Sequence, residues 1–177
     1  MKITIREARK EDSPEIQQFV AALLQEGLDV IFARSEAPSV ESMETLVLRL
    51  ESEKNSRYFL AYHDSELVGM LDLHGAQHPQ KKHCAGFGMS VAAAFRGKGV
   101  GKALVQSMLD FAHGAEILRR IELEVFETNF RAIRLYEAMG FNLEGRKQKA
   151  VLVDGEYIDV LCMAFLIGNT HVIKSAA

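Results

Sequence analysis

Between Phe95 and Ala103 the chain reads FRGKGVGKA, with glycines at 97, 99 and 101 and cations at Arg96, Lys98 and Lys102. Glycine permits positive φ and lets another molecule approach main-chain N–H groups closely. A helical pattern begins at Val100, and a helix N-terminus adds unpaired N–H donors and about half a positive charge. Together these features suit a phosphate group. From Ala92 to Leu109 there are three cations and no acid, although the chain as a whole carries a net charge of −3. A glycine turn that merely caps the helix is the plainer alternative, but it would not require the surrounding bases. Two phosphate motifs are excluded. Gly101-Lys102 is followed by Ala103 rather than Ser or Thr, and residue 96 is arginine, so no Walker loop is present. The third glycine of a dinucleotide fingerprint would fall on Lys102 or Leu104, so that motif fails as well.

Arg96-Gly-Lys-Gly99-Val-Gly101, after a strand ending Met89-Ser90-Val91, resembles the Arg/Gln-x-x-Gly-x-Gly/Ala signature of the GCN5-related N-acetyltransferases (GNAT). Downstream, Asn129-FRAIRLYEAMG-Phe141 is similar to that family's Asn-x-x-Ala-x-x-Leu-Tyr-x-x-x-Gly-Phe segment, and the opening IREARKEDSPEI is similar to its usual start. The resemblance spans residues 2–167, and its tail is most like the branch of ribosomal-protein alanine, spermidine and amino-acid N-acetyltransferases. It implies acetyl-CoA as co-substrate, lying in a V-shaped gap between two splayed parallel strands, here HCAGFGMSV and RIELEVF. The main chain of Met89, Ser90 and Val91 would pair with pantetheine. The N–H groups of Arg96, Gly97, Lys98, Gly99, Val100, Gly101 and Lys102 would hold the pyrophosphate. Asn129 would hydrogen-bond the cofactor, although asparagine there suits a helix cap equally well.

The implied reaction is direct attack of a neutral amine on the thioester. The developing oxyanion needs a donor, which N–H groups near Ser90 or Val91 could supply. The departing thiolate needs a proton. Tyr136, in the family's tyrosine position, is the candidate acid, because a phenol with a pKa of about 10 is protonated at neutral pH. The alternative is an aromatic residue packed on the sheet. A base must deprotonate the amine. Many relatives carry a glutamate in the strand that here reads HCAGFGMSV and has no acid. Glu122 and Glu124 on the next strand, His74, His83 or a water are the options, and a solvated charged strand face is the alternative reading of the two glutamates. His74, His78, His83 and Cys84 match no compact zinc spacing, so no metal is expected.

The elements that must position these groups follow from periodicity. Ile3 and Ile5, with Ala8 after them, suggest a first strand. A helix follows, capped by Asp12 or Ser13, with Pro14 at its first position, an apolar stripe through Ile16, Phe19, Val20, Leu23 and Leu24, and Gly27 as its stop. Ser39 opens a second helix. RYFLAYH and ELVGMLDLHG read as strands joined at Asp64-Ser65, and HCAGFGMSV as a third. The helix from Val100 to His113 carries Val100, Leu104, Val105, Met108, Leu109 and Ala112 on one face, with Gly114 as its stop. RIELEVF is a strand, NFRAIRLYEAMG a short helix, and the remainder a hairpin around Asp154-Gly155. The order β α α β β β α β α β β predicts an α/β (α+β) chain. Its sheet is mixed and mostly antiparallel, with a central parallel pair flanked by helices, and the family resemblance implies that this pair is splayed.

At 177 residues and 48% apolar, the chain reads as one domain, residues 1–177, with 168–177 as a frayed tail. No apolar run approaches spanning length, and MKITIREARKEDS is no signal peptide. Cys84 and Cys162 lie in apolar runs as buried free thiols, which fits a cytoplasmic protein. The net charge predicts neither a nucleic-acid nor a membrane partner. The acceptor wall would come from the loop LDVIFARSEAPSV, with Asp29, Arg34 and Glu36, and from the late hairpin. That balanced charge points to a small-molecule primary amine. A protein N-terminus or lysine acceptor, or a non-catalytic acetyl-CoA sensor, are the alternatives. A homodimer is common for the implied fold.

Overall fold

The computed structural model describes residues 1–26 and 36–168. Strands β1 (Ile3–Glu7), β2 (Arg57–His63), β3 (Glu66–Gly75), β4 (Cys84–Val91), β5 (Arg120–Phe126), β6 (Asn142–Val153) and β7 (Glu156–Leu166) form one seven-stranded sheet. Its order is β1-β2-β3-β4-β5-β7-β6. Four helices flank it: α1 (Ser13–Gln25), α2 (Val40–Ser52), α3 (Val100–Gly114) and α4 (Phe130–Ala138). All neighbouring strands are antiparallel except β4 and β5, which run parallel and pair only over Cys84–Gly86 with Arg120–Glu122. Beyond Gly86 the two strands separate, which is the splay that the family resemblance implied.

Alternation along the strands sorts two cores onto the two faces. On one face Phe59, Ala61, Leu71 and Leu73 pack with Val100, Leu104 and Met108 of α3. On the other, Tyr58 and Leu60 pack with Ile16 of α1 and Met43, Val47 and Leu50 of α2. All six residues predicted for the apolar face of α3 are buried. Because α1 and α2 cover only the β1–β3 side of their face, no helix among the described residues covers the same face of β4, β5 and β7.

Local chemistry sets the element ends. The Ser39 hydroxyl accepts a bond from the Ser42 N–H at 3.1 Å, as expected of a cap. At Asp154-Gly155 φ is 48° and 86°, the left-handed pair that a tight two-residue hairpin turn requires. Three readings need adjustment. The first strand ends at Glu7, although Ala8 is buried and donates its N–H to Tyr58 O at 2.8 Å. Asp12 precedes α1 but makes no side-chain cap, because its carboxylate is taken by Arg6. Cys84 and Cys162 are free thiols but only half-buried, since β4 and β7 are uncovered on one face. Gly27, Asp29, Arg34 and the tail beyond Gly168 lie outside the described residues.

The Arg6 guanidinium grips Asp12 at 2.6 and 2.8 Å, and the Arg9 N–H adds a bond at 2.7 Å. The hydrogen bond from Arg6 is the main reason the Asp12 carboxyl lies below its ordinary range. The charged form is therefore favoured by folding, so its contribution is present above the unfolded pKa, near 4, and is lost as pH falls through the lower folded value. Asp12→Asn should cost about 1 kcal/mol at pH 7. In denaturant titrations the gap to wild type should close as the pH drops below about 4. A gap independent of pH would contradict this assignment.

Candidate active site

Where β4 and β5 part, a cavity of about 1030 Å³ passes through the sheet. On the α3/α4 face its wall includes Phe87, Met89, Leu123, Leu135 and Tyr136. On the uncovered face it includes Gly86, Gly88, Ser90, Glu122, Glu124 and Cys162. Beyond Gly86, the β5-facing edge of β4 has no strand partner, so the peptide groups of Met89, Ser90 and Val91 border the opening.

The glycine loop closes one end. Gly97 and Gly99 have φ of 74° and 89°, and a Cβ at either would meet no other atom within 4 Å. The backbone conformation, not crowding, therefore calls for glycine at both positions. Gly99 is the residue before α3, so the first N–H groups of that helix have no acceptors within it. Gly97, Gly99, Gly101 and Lys102 line the cavity, whereas Lys98 and Val100 do not. The Lys98 ammonium sits 5.5 Å from the Phe95 ring centre, and the Val100 side chain is in the core. Arg96 lines the cavity too, with its side chain tied to protein groups. Its Nε donates to Val91 O at 2.9 Å and its guanidinium pairs with Glu26 at the end of α1. Glu26 also accepts from the Ala93 N–H at 3.3 Å. Seventy residues separate Glu26 from Arg96 and no periodicity links them, so this tie is not legible in the sequence.

Asn129 is both a cap and a cavity residue: Oδ1 accepts the Ala132 N–H at 3.2 Å, and the residue lines the opening. Thr128 and Arg131 line it as well and were not anticipated. Seven residues on from Asn129, Tyr136 is held edge-on by Phe87 and tilted against Phe141, with ring centres 5.7 Å away in each case. It is thus both a packed aromatic and a cavity residue, so the two sequence readings are compatible. Its hydroxyl has no protein hydrogen-bond partner among the described residues, and burial pushes its pKa up to about 12.

The acids on β5 are engaged. Arg120 donates to Glu122 at 2.8 Å and to Glu144 of β6 at 2.8 Å, and Glu124 pairs with Lys147. The Arg120 hydrogen bond holds the Glu144 carboxyl below its ordinary range. His74 and His83 lie outside the cavity wall. No group of three or more potential metal ligands lies together among the described residues.

A cavity through a split parallel pair, entered beside a basic glycine loop, is an arrangement with known counterparts. The profile of the Acetyltransferase (GNAT) family matches residues 20–141. The chain belongs to the GNAT family. This GNAT protein is 35% identical over 116 residues to the L-amino acid N-acetyltransferase AaaT of Escherichia coli K12, a match covering 66% of this chain and 72% of that one. Its fold superposes on a GNAT-family acetyltransferase of Streptococcus pneumoniae with a TM-score of 0.86 at 26% identity, covering 94% and 100% of the two chains. A GNAT-superfamily phosphinothricin acetyltransferase of Sinorhizobium meliloti, solved in complex with acetyl-CoA, shares the fold at 19% identity. Its TM-score is 0.82, with 95% and 90% of the chains covered. The protein is thus an acetyltransferase of the GNAT family.

Proposed function

We propose that this enzyme acetylates the primary amine of a small molecule, with free amino acids as the first class to test. The observation that carries the reading is the cavity itself. Its walls join a basic glycine loop at a helix N-terminus to an acid-bearing face on the far side of the sheet. The name of the E. coli relative supports an amino-acid acceptor.

In this reading the main chain of Met89, Ser90 and Val91 pairs with pantetheine. The N–H groups from Arg96 to Lys102 hold the pyrophosphate, Lys98 and Val100 contributing only main chain, and Asn129 adds a polar contact. An N–H near Ser90 or Val91 stabilises the oxyanion as the C–N bond forms. Tyr136 then protonates the sulfur as the C–S bond breaks. Its phenol is suited to donation, since desolvation keeps it protonated through the neutral range. No metal enters the scheme.

Two further parts of the reading concern setting. A cytoplasmic location fits the two unpaired thiols. Self-association fits β6, an edge strand exposing Leu143 and Leu152, and sedimentation would test it. The assay for the acceptor is thiol release from acetyl-CoA against separate pools of amino acids, polyamines and short peptides. Release with amino acids or polyamines supports the reading. Release with peptides alone would shift it to a protein acceptor, and silence in every pool with acetyl-CoA bound would shift it to a sensor.

A further inference from the structure

The mechanism lacks a group to take the amine's proton, and the two glutamates in the cavity wall are already paired with Arg120 and Lys147. A third carboxylate lies on the same face, delivered from the neighbouring strand. Asp72 of β3 stands directly opposite Gly88 of β4, and His74 stands opposite Gly86, which in turn pairs with Glu122. Residues paired across strands point to the same face, so Asp72, His74 and Glu122 all look out over a strip of bare glycine. Gly88 carries no side chain where the cavity opens, and Asp72 leans into that vacancy. Its Oδ1 lies 3.1 Å from where a Cβ at 88 would be, and Oδ2 lies 3.7 Å away.

The two oxygens of Asp72 have different roles. Oδ2 meets His74 Nε2 at 2.5 Å, and Nη2 of Arg49 on α2 meets His74 Nδ1 at 3.3 Å. A guanidinium can only donate, so Nδ1 accepts and the ring proton resides on Nε2, donated to Asp72. The Arg49–His74 contact thereby fixes one tautomer and one rotamer of the carboxylate. Oδ1 accepts no hydrogen bond from protein among the described residues, and it is the oxygen nearer Gly88, which lines the cavity where Asp72 itself stands one residue behind the wall.

Resting on the acceptor reading above, we infer that Asp72 Oδ1 docks the acceptor's ammonium group and receives its proton, with His74 as a positioning residue. One ammonium proton passes to Oδ1 and on to solvent. The amine nitrogen attacks the thioester carbon, forming C–N as C–S breaks. The sulfur takes a proton from Tyr136, and the second proton lost by nitrogen restores the phenol. Among the described residues, the charged and titratable groups facing Asp72 are His74 on its own strand, Tyr58 opposite on β2, and Arg49 on α2, itself paired with Glu53 at 3.6 Å. Glu122 and Glu124 form the far wall.

The test compares wild type, Asp72→Asn, His74→Ala and His74→Gln in thiol release with the amine pool that wild type uses. Asp72→Asn should lower kcat/KM for the amine about 100-fold or more. It should leave the KM for acetyl-CoA and the melting temperature near wild type. Any fall of wild-type kcat/KM on acidification should be absent from Asp72→Asn. His74→Gln, which can still donate to Oδ2, should recover most of what His74→Ala loses. Asp72→Asn activity within about three-fold of wild type, or an unchanged acid limb, would overturn this inference alone. So would a loss shared equally with acetyl-CoA binding, which marks a structural role. Silence of wild type with every amine, acetyl-CoA still bound, would overturn the acceptor reading and this inference with it.

Discussion

Tyr136→Phe should lower kcat about ten-fold or more while acetyl-CoA affinity and melting temperature stay near wild type. The substitution removes one oxygen from a side chain held on both sides by aromatic rings, Phe87 and Phe141, and those contacts survive it. Because the hydroxyl has no protein partner among the described residues, no buried group is left unpaired, and stability has little reason to change. What is lost is a proton donor at the place where the thiolate forms. A transition-state interaction that disappears lowers kcat without raising the KM of the donor. The pH dependence follows from the cause of the shift. Burial disfavours the phenolate and pushes the pKa up to about 12, so the acid form is present below that value and lost above it. The neutral range should therefore show no alkaline loss attributable to this residue. A kcat within two-fold of wild type would remove Tyr136 from proton transfer.

Gly99→Val should raise the Kd for acetyl-CoA by about ten-fold or more, with a smaller loss of stability. Residue 99 holds φ at 89°, where an L-residue costs roughly 1–2 kcal/mol and a β-branched one is worst placed. Nothing lies within 4 Å of the new Cβ, so the fold meets strain rather than a clash. The space it enters is the space over the first N–H groups of α3, where phosphate oxygens would have to come. Gly99→Asn tolerates the left-handed backbone better and should bind acetyl-CoA more tightly than the valine variant. Calorimetry on both variants separates strain from blockage. Unchanged affinity in Gly99→Val would move the pyrophosphate elsewhere.

Local chemistry was legible in the sequence because each signal rests on residues a few positions apart. The six apolar positions of α3, the Ser39 cap, the Asp154-Gly155 turn and the alternation of Ile121, Leu123 and Val125 all depend on short-range periodicity, and each recurs in the fold. Parallel pairing of β4 and β5 followed from strand–helix–strand order, and their splay from the family resemblance. Contacts across the sequence were not legible. Glu26 holding Arg96 depends on where the end of α1 falls, and it ties down a side chain whose main-chain N–H alone was expected at the phosphate. The Asp72–His74 pair shows the same limit. Their spacing by two placed both on the polar side of a strand, but only the register of β3 against β4 sets Asp72 opposite Gly88. Likewise, half-burial of Cys84 and Cys162 follows from the face that no helix covers, not from their apolar neighbours.

The central claim, transfer of the acetyl group from acetyl-CoA to a small amine, is tested most directly with acetyl-CoA labelled in its acetyl carbon. The enzyme is incubated with that donor and a mixture of free amino acids, and the products are separated. Label in an N-acetyl amino acid, formed by wild type and at least ten-fold more slowly by Tyr136→Phe, is the predicted result. Label remaining in acetyl-CoA, or released only as free acetate, would contradict it.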